Sequence, residues 1–482
     1  MVAERQHYNV TLAILTLAGA FFALQQTMVV PALPALQRDL NTTTTWVTWV
    51  LTVFLLTASV LTPILGKLGD QYGKERLLTI SLGIFLAGSV GCALAWDIGS
   101  LIAFRALAGA GGAVFPLSYA IIRDEFPPEK VGVAIGLVSA VFGIGGGFGI
   151  VLSGVIVDNL SWRWLFIVGA AGIAIAVVCV HRFVPESPIK TPSRIDFPGA
   201  ALLSGGLVAL LVALTEGEDW GWASGRIVGL FAAGAVLLVA WALVELRVPE
   251  PMVDMRMLAR RVILFTNVTA LVAGFAMFGA FVLIPNFVES PHGVPERLAR
   301  LVDYGFGASA TEAGLFLLPS SVTLLFAGPL AGVLARRWSA KWPLALGLLF
   351  VAASTASFAR WNEEPWQMLA AMPFLGIGVG FAFAAMAVLI TEAVSPTETG
   401  VANGMNTVMR TVGGVIGGQV GAALLTAYSI EGTEIPSVTG FELAFAISAV
   451  AALAGAVVAA FITPPRLRRR AVLVPAAAEA RD

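Results

Sequence analysis

Charged residues are scarce in this sequence: of its 482 residues, only 12% are Asp, Glu, Lys or Arg. An ordinary soluble domain carries about 25% charged residues. The chain therefore has too little polarity to cover a water-exposed surface of its size, and a soluble globular fold is excluded. The net charge of −1 gives no reason to expect a nucleic-acid partner.

Cysteine and histidine are also rare. The two cysteines, Cys92 and Cys179, lie inside apolar stretches, where they favour packing over a disulfide framework. The three histidines, at positions 7, 181 and 292, form no metal-ligand pattern, and the sequence has no Walker loop and no nucleophile–base set. We therefore expect no metal, no cofactor and no enzymatic activity, and ATP-driven pumping is poorly supported.

Apolar residues dominate instead, at 58% of the chain, and the mean hydropathy is +0.87. Apolar runs of about 20 residues recur along the chain, and each is long enough to cross a bilayer as a helix. The sequence predicts fourteen such spans, at 10–34, 46–66, 77–95, 101–122, 131–157, 163–184, 198–215, 227–245, 262–287, 311–334, 343–360, 367–391, 400–426 and 441–463.

The first six and the last six spans are copies of each other, at an offset of about 266 to 268 residues. The matching features are Pro-x-x-Gly at 63–66 and 329–332, Trp at 96 and 361, Gly-x-Gly at 109–111 and 376–378, and Gly-x-Ala-x-Gly at 132–136 and 400–404. Two facing copies of a six-helix unit are typical of transporters with a central binding site.

The predicted fold is therefore an all-α polytopic membrane protein with two six-helix bundles and two inserted helices between them. We assign residues 1–195 to the first bundle, 196–258 to the inserted helices and their linker, and 259–464 to the second bundle. Residues 465–482 form a basic tail, which we expect to be disordered.

The basic residues also predict the orientation of the chain in the membrane. With the N-terminus inside, about 21 of the 29 Lys and Arg residues fall in inner segments and about 6 in outer ones. This positive-inside bias predicts that both termini are cytoplasmic and that the protein spans the cell membrane, in contact with its lipid.

The loop after the second span has a distinctive pattern of glycines and charges. Its glycines allow a tight turn and close helix contact, Asp70 suits a neighbouring helix N-terminus, and Arg76 suits an acid or helix carbonyls. Arg76 could pair with Asp124, or Asp124 could belong to a solvated acidic turn. The candidate residues of this region are Gly66, Gly69, Asp70, Gly73, Arg76 and Asp124, and the family resemblance described below implies a gating role for them.

Several polar residues lie inside the predicted spans. Gln25 and Gln26 either cross-link helices or face a wet cavity. Arg105 either reaches back to the lipid headgroups or has a functional role. Arg410 lies near the predicted midplane, where we expect it to face a cavity or an acid from another helix. Glu312 starts the tenth span, which should border the cavity.

The loop and three further motifs resemble the major facilitator superfamily, most closely its fourteen-span drug:proton antiporters. The further motifs are the end of span one from Ala23 to Pro34, Arg105-x-x-x-Gly109 in span four, and the glycine motif of span five with Gly145, Gly149 and Gly154. Two departures are Gln25, where the family usually has Asp, and Ile150, where the antiporter motif usually has Pro.

The resemblance implies alternating access and proton-coupled export of small amphipathic drugs or antibiotics by a monomer. With no carboxylate in span one, the proton carrier is expected among acids at helix ends, Asp124 or Glu312, and Glu312 is preferred because span ten should border the cavity. The alternatives are a metabolite or lipid transporter of the same fold without proton coupling and, from another class, a channel or non-transporting scaffold.

Overall fold

The computed structural model of the chain describes residues 7–190, 194–291, 302, 304–430, 433 and 435–463. Residues 292–301 and 303 of the predicted outer loop 288–310, and the whole of the basic tail 465–482, lie outside the described residues. The α-helices are α1 Tyr8–Thr27, α2 Leu33–Asp39, α3 Thr44–Tyr72, α4 Lys74–Ala93, α5 Ile98–Ala108, α6 Val114–Glu125, α7 Pro128–Ala140, α8 Ile150–Asn159, α9 Arg163–Phe183, α10 Phe197–Thr215, α11 Gly217–Trp220, α12 Gly225–Glu245, α13 Met255–Leu258, α14 Arg261–Glu289, α15 Ala310–Arg337, α16 Lys341–Arg360, α17 Pro365–Ala393, α18 Thr399–Ala427 and α19 Val438–Ala460.

Thirteen helical stretches in the described part of the chain are long and apolar enough to cross a membrane. The all-helical prediction is confirmed, and the fifth predicted span accounts for the difference from fourteen. That span is divided into α7, a π-helical segment Ile144–Gly149 and α8. Its run of glycines explains the interruption, because glycine has low helix propensity and tolerates irregular backbone.

The most extensive contacts between the first six spans and the last six are made by two helix pairs: α3 packs on α18, and α7 packs on α15. The inserted helices α10 and α12 pack on each other, and α10 also contacts α3 and α18. The insertion therefore lies beside one of the two junctions between the bundles.

An aromatic cluster fills the interior of the first bundle. The ring of Phe22 lies 5.7 to 5.8 Å, between centroids, from the rings of Phe54, Phe85 and Phe115. Rings at this spacing attract each other in tilted and edge-on arrangements. The cluster holds α1, α3, α4 and α6 together, and its Phe54 ring also contacts the buried Arg105.

Candidate functional site

A single residue, Gly73, separates α3 from α4. Its φ of 124° lies in the region that favours glycine, and a Cβ there would collide with the carboxylate of Glu186. The sharp turn places Asp70, at the end of α3, and Lys74, at the start of α4, side by side, with Lys74 Nζ 3.9 Å from Asp70 Oδ1.

Asp70 joins the two bundles. Its side chain is 1% exposed, and its Oδ2 accepts the backbone N–H groups of Gly400 at 2.9 Å and Val401 at 3.1 Å. These N–H groups belong to the first turn of α18, where the helix dipole and unpaired donors favour an anion. Asp70 therefore lies at a helix N-terminus, where the sequence predicts it.

The partner of Asp124 is Lys74, so the predicted pairing with Arg76 is wrong. The Lys74 ammonium is fully buried and pairs with Asp124 Oδ2, which also accepts the Ser187 hydroxyl at 2.5 Å. Arg76 lies two residues further along α4, about 200° around the helix, and is exposed. The alternative of a solvated acidic turn is also wrong for Asp124, whose side chain is 1% exposed.

Lys74 and Arg123 also contact the opposite bundle at this point, and neither is among the residues predicted from the sequence. Lys74 donates to Pro396 O at 3.1 Å. Arg123 donates to Val394 O at 2.7 Å and to the Thr399 hydroxyl at 2.7 Å. Two features of the sequence could have indicated these residues. Lys74 follows Asp70 by four residues, and Arg123 directly precedes Asp124. We call Asp70, Lys74, Arg123 and Asp124 the gate cluster.

The backbones of the two bundles approach closely at several glycines, and two of these contacts are related by the repeat. A Cβ at Gly66 would lie 2.6 Å from Gly400 O, and a Cβ at Gly132 would lie 3.2 Å from Gly332 O. The sequence repeat relates Gly66 to Gly332 and Gly132 to Gly400, so the two contacts are copies of each other. Only small residues allow helix backbones to approach in this way.

The glycine motif of span five faces two helices. A Cβ at Gly145 would lie 2.5 Å from Ala23 O of α1, and the Thr27 hydroxyl of α1 donates to Gly145 O at 2.6 Å. Gly149 also faces Thr27, whereas Gly154 faces Thr311 of α15 in the other bundle, 2.7 Å from a Cβ to its hydroxyl oxygen. The motif therefore links α1 to α15 through the interrupted span.

Arg105 is fully buried, which excludes a side chain that reaches back to the headgroups. Its Nε donates to Val50 O at 3.1 Å, and its guanidinium carbon lies 4.0 Å from the centroid of the Phe54 ring. Within the described residues, Nη1 and Nη2 have no hydrogen-bond partner. A buried guanidinium with free donors is a site that can receive an acceptor group.

Gln25 cross-links helices of the first bundle. Its Oε1 accepts the Ser89 hydroxyl of α4 at 2.8 Å, and its Nε2 donates to Phe166 O of α9 at 3.5 Å. Of the two alternatives for this residue, the structure thus selects the cross-link. Gln26 is half-buried on the same helix.

Arg410 of α18 meets aromatic rings at the junction of the bundles. Its guanidinium carbon lies 4.2 Å from the ring centroid of Phe383 in α17 and 5.5 Å from that of Phe142 in the first bundle. Phe142 stacks on Phe115 at 4.4 Å between centroids. In the part of the chain that the structure describes, no carboxylate lies within 4.0 Å of Arg410 nitrogens, so the predicted acid partner is replaced by ring faces.

Glu312 has a capping role. It lies in the first turn of α15, where Ser309 N donates to its Oε2 at 2.8 Å and its own N–H donates to the Ser309 hydroxyl at 3.3 Å. This is a capping box, and the residue is exposed. The desolvation expected of a proton carrier is therefore missing at Glu312, whereas the other candidate, Asp124, is buried.

Comparisons with known proteins agree with this architecture. The family model described as "Major Facilitator Superfamily" matches residues 15–305 and 268–480. "Multidrug resistance protein 3" of Bacillus subtilis (strain 168) is 30% identical over 397 residues, which cover 80% of this chain and 74% of that protein. The "Tetracenomycin C resistance and export protein" of Streptomyces glaucescens is 27% identical over 401 residues, 82% of this chain and 72% of that one.

A solved structure shows the same fold. The crystal structure of the human organic anion transporter MFSD10 (TETRAN) superposes with a TM-score of 0.65 at 14% identity, over 94% of this chain and 99% of that one. Together with the family match, the paired bundles and the loop around Asp70 establish that this multi-pass membrane protein belongs to the major facilitator superfamily of transporters, among relatives named for multidrug resistance and antibiotic export.

Proposed function

We propose that the protein is a secondary exporter that moves small amphipathic compounds, drugs or antibiotics among them, by alternating access and at the expense of a proton gradient. The observation that carries this proposal is the contact of Asp70 with the N-terminus of α18 in the opposite bundle. A contact that joins the two halves at one end suits a gate, since the halves must separate there for a central site to open.

The gate cluster offers a route for proton coupling. The charge of Asp70 is what attracts the N-terminus of α18 and Lys74, so a proton on Asp70 would weaken the closed contact. Asp124 is the second acid of the cluster, and its Oδ1 is buried without a partner among the described residues. Proton uptake at either acid would favour opening at this end, which is the coupling that an antiporter needs.

The junction around Arg410 supports a class of substrate. Phe142 and Phe383 offer ring faces from both bundles, and Arg410 offers N–H donors between them. Rings and a guanidinium together suit a flat aromatic compound that carries a hydrogen-bond acceptor or an anionic group. One relative is named for tetracenomycin C resistance and export, which agrees with export of a small compound.

We place the gate cluster at the cytoplasmic surface of the cell membrane, with both termini on the same side, because the positive-inside bias assigns this end to the interior. The working units are the two bundles, 1–195 and 259–464, and the inserted helices of 196–258. Since the interface between the bundles lies within one chain, a monomer suffices for transport.

The test is substrate efflux from vesicles under an imposed pH gradient. The parent is compared with Asp124→Asn, and with Glu312→Gln as the matched control, because the control removes a carboxylate that lies in solvent. We expect gradient-driven efflux in the parent and in Glu312→Gln, and its loss in Asp124→Asn with downhill exchange retained. Candidate substrates come from a growth screen against toxic compounds, with and without the protein.

One observation favours a second function, transport of a metabolite or lipid without proton coupling. The residue at the usual acidic position of α1 is Gln25, and its amide is engaged with Ser89 and Phe166, so α1 supplies no proton carrier. Transport by the parent that is indifferent to the pH gradient would establish this facilitator and refute proton coupling.

A further inference from the structure

The inserted helices carry a second pair of buried acids, separate from the gate cluster. Asp196 precedes α10 and is 8% exposed, and Glu245 ends α12 and is 3% exposed. Gly199 lies between them: a Cβ there would be 2.7 Å from Glu245 Oε1 and closer still to Asp196 Oδ2. These two carboxylate oxygens therefore face the same small space.

N–H groups account for three of the four carboxylate oxygens. Gly199 N donates to Asp196 Oδ1 at 2.8 Å, the Trp241 indole N–H donates to Glu245 Oε1 at 2.9 Å, and Val253 N donates to Glu245 Oε2 at 3.2 Å. Asp196 Oδ2 is buried and has no partner among the described residues. It lies on the same side of Gly199 as Glu245 Oε1, since both oxygens are within 2.7 Å of the position that a Gly199 Cβ would take.

No basic side chain neutralises this pair. Across the described ranges, no Lys, Arg or His nitrogen lies within 4.0 Å of either carboxylate. The exposed charged residues on the surrounding elements are Arg194, Arg247, Glu250, Arg256, Arg260 and Arg261. Asp254 caps α13, and Glu398 at the start of α18 accepts from Ser395, so their carboxylates are engaged elsewhere.

We propose that Asp196 and Glu245 bind one shared proton, which makes the inserted helices a proton-binding site distinct from the gate cluster. Two ionised carboxylates in one desolvated space repel each other, and ionised carboxylates can only accept hydrogen bonds. One proton taken from solvent converts one of the two groups to a carboxylic acid, whose O–H donates to the other. The proton then belongs to the pair.

The pair is connected to the gate through the linker after α12. Val253, whose N–H donates to Glu245, is fully buried in one apolar cluster with Met257 of α13 and with Val401 and Met405 of α18. The N–H of Val401 is also a donor to Asp70. Loss of the shared proton should loosen the linker, and with it the packing that supports the N-terminus of α18.

Hydrogen exchange of the full-length protein in lipid nanodiscs tests this proposal without any transport assay. The readout is exchange in peptides that cover residues 246–258, corrected for the intrinsic rate, which itself rises with pH. In the parent, we expect protection of these peptides to fall about tenfold or more between about pH 5 and about pH 9, as the shared proton is lost and the linker opens.

Two variants test the pair, and each replaces one of its two acids by the matching amide. Glu245→Gln and Asp196→Asn each remove one charge, so in both the linker should stay protected with no pH response; Asn also remains a good N-cap for α10. Glu250→Gln is the matched control, since it neutralises an exposed acid of the same linker, and it should behave like the parent. If the Glu245→Gln protein does not fold, the pH response of the linker in the Asp196→Asn protein is the test of the proposal.

Three outcomes would overturn the proposal. The first is linker protection in the parent that does not change with pH. The second is a full pH response in a folded Asp196→Asn protein. The third is protection that follows the concentration of Na⁺, K⁺ or Ca²⁺ at constant pH, because the pair would then be a cation site. Failure of proton-coupled efflux would leave the exchange result intact, so the two proposals stand or fall separately.

Discussion

Asp70 takes the place of the water molecules that would otherwise bind the first N–H groups of α18. Burying an anion is costly unless hydrogen bonds and charges compensate it. Here two N–H groups and the Lys74 ammonium do so. The compensation comes largely from the opposite bundle, so separation of the bundles leaves the carboxylate exposed to new partners, and its ionisation becomes linked to the conformation.

The substitution Asp70→Asn should therefore cripple transport while the protein remains inserted and abundant. An amide keeps one acceptor but loses the charge, which weakens the closed contact by about 1 to 2 kcal/mol, roughly a five- to thirtyfold shift toward the open form. Glu129→Gln is the control, because that acid is exposed near the same end of the bundles. Unchanged efflux in Asp70→Asn at normal expression would contradict a gating role.

Arg410 allows a test of substrate class. Arg410→Lys keeps the charge but loses the planar group that stacks on Phe383. We expect the apparent affinity for flat aromatic compounds with an acceptor group to fall about tenfold, consistent with a loss of one or two good contacts. Arg261→Lys, an exchange at an exposed position, should have no effect. An equal loss for every exported compound would argue for a structural role instead.

At the scale of elements, the close helix contacts depend on the absence of side chains. Gly66→Ala adds a methyl group where Gly400 O lies 2.6 Å away, and backbone atoms cannot move aside without moving a helix. Overpacking of this kind costs about 1 to 3 kcal/mol, so the substitution should separate the bundles at the gate cluster. Gly132→Ala should act in the same direction at the related contact, where the neighbouring oxygen is further away and the effect smaller.

This separation can be measured as the distance between two spin labels in a cysteine-free protein. One label is placed at the C-terminal end of α3 and the other at the N-terminal end of α18. Gly418→Ala is the control, since a Cβ there would meet nothing within 4 Å. A distance distribution in Gly66→Ala identical to that of the parent would mean that the contact does not limit closure.

The elements differ in how far the sequence predicts them. Long apolar runs and the repeat are enough to predict the helices, the bundles and the inserted pair, since burial of backbone polar groups forces helices in lipid. The division of span five is not predictable in this way, because a π-helical segment depends on what packs beside it. The ion pair of Asp124 forms with Lys74 and not with Arg76. This choice depends on the direction in which the chain turns at Gly73.

Partners are the least predictable part of the site. Gln25 and Arg105 are recognisable as polar residues inside apolar runs, but their partners Ser89 and Val50 are far away in sequence and have no motif. Glu312 follows the sequence signature of a capping box with Ser309, and that spacing alone is enough to indicate its role. Periodicity predicts which residues are inside a bundle, and only packing determines what they contact.

At the scale of the whole molecule, the two halves are similar in shape and unequal in charge. Under the repeat, Asp70 corresponds to Arg336, whose guanidinium donates to Glu129 O at 3.3 Å at the α7–α15 junction. The buried acid Asp70 thus stabilises the α3–α18 junction, whereas the exposed base Arg336 lies at the α7–α15 junction. We therefore expect closure to depend chiefly on the α3–α18 side, where the inserted helix α10 also packs.

The orientation of the chain in the membrane is the prediction that connects all of these sites. The N-terminus of α18 contacts Asp70, and near its other end the Thr426 hydroxyl donates to Glu218 at 3.0 Å. A helix of 29 residues is about 44 Å long, so these two acids lie at opposite ends of the bundles. With the positive-inside bias, Asp70 should be cytoplasmic and Glu218 external, and Arg194 and Arg256 should lie on the side of Asp70.

Single cysteines at positions 70, 194, 256 and 218, in a protein without Cys92 and Cys179, test this orientation with a membrane-impermeant thiol reagent. In intact cells we expect labelling at 218 alone, and after the membrane is made permeable we expect labelling at 194 and 256 as well. Position 70 should also label only after permeabilisation, because the Asp70→Cys change removes the charge that holds the bundles together there and leaves the cysteine accessible from the cytoplasmic side. Labelling of position 194 in intact cells would reverse the orientation, and the gate cluster would then close the outer end of the transporter.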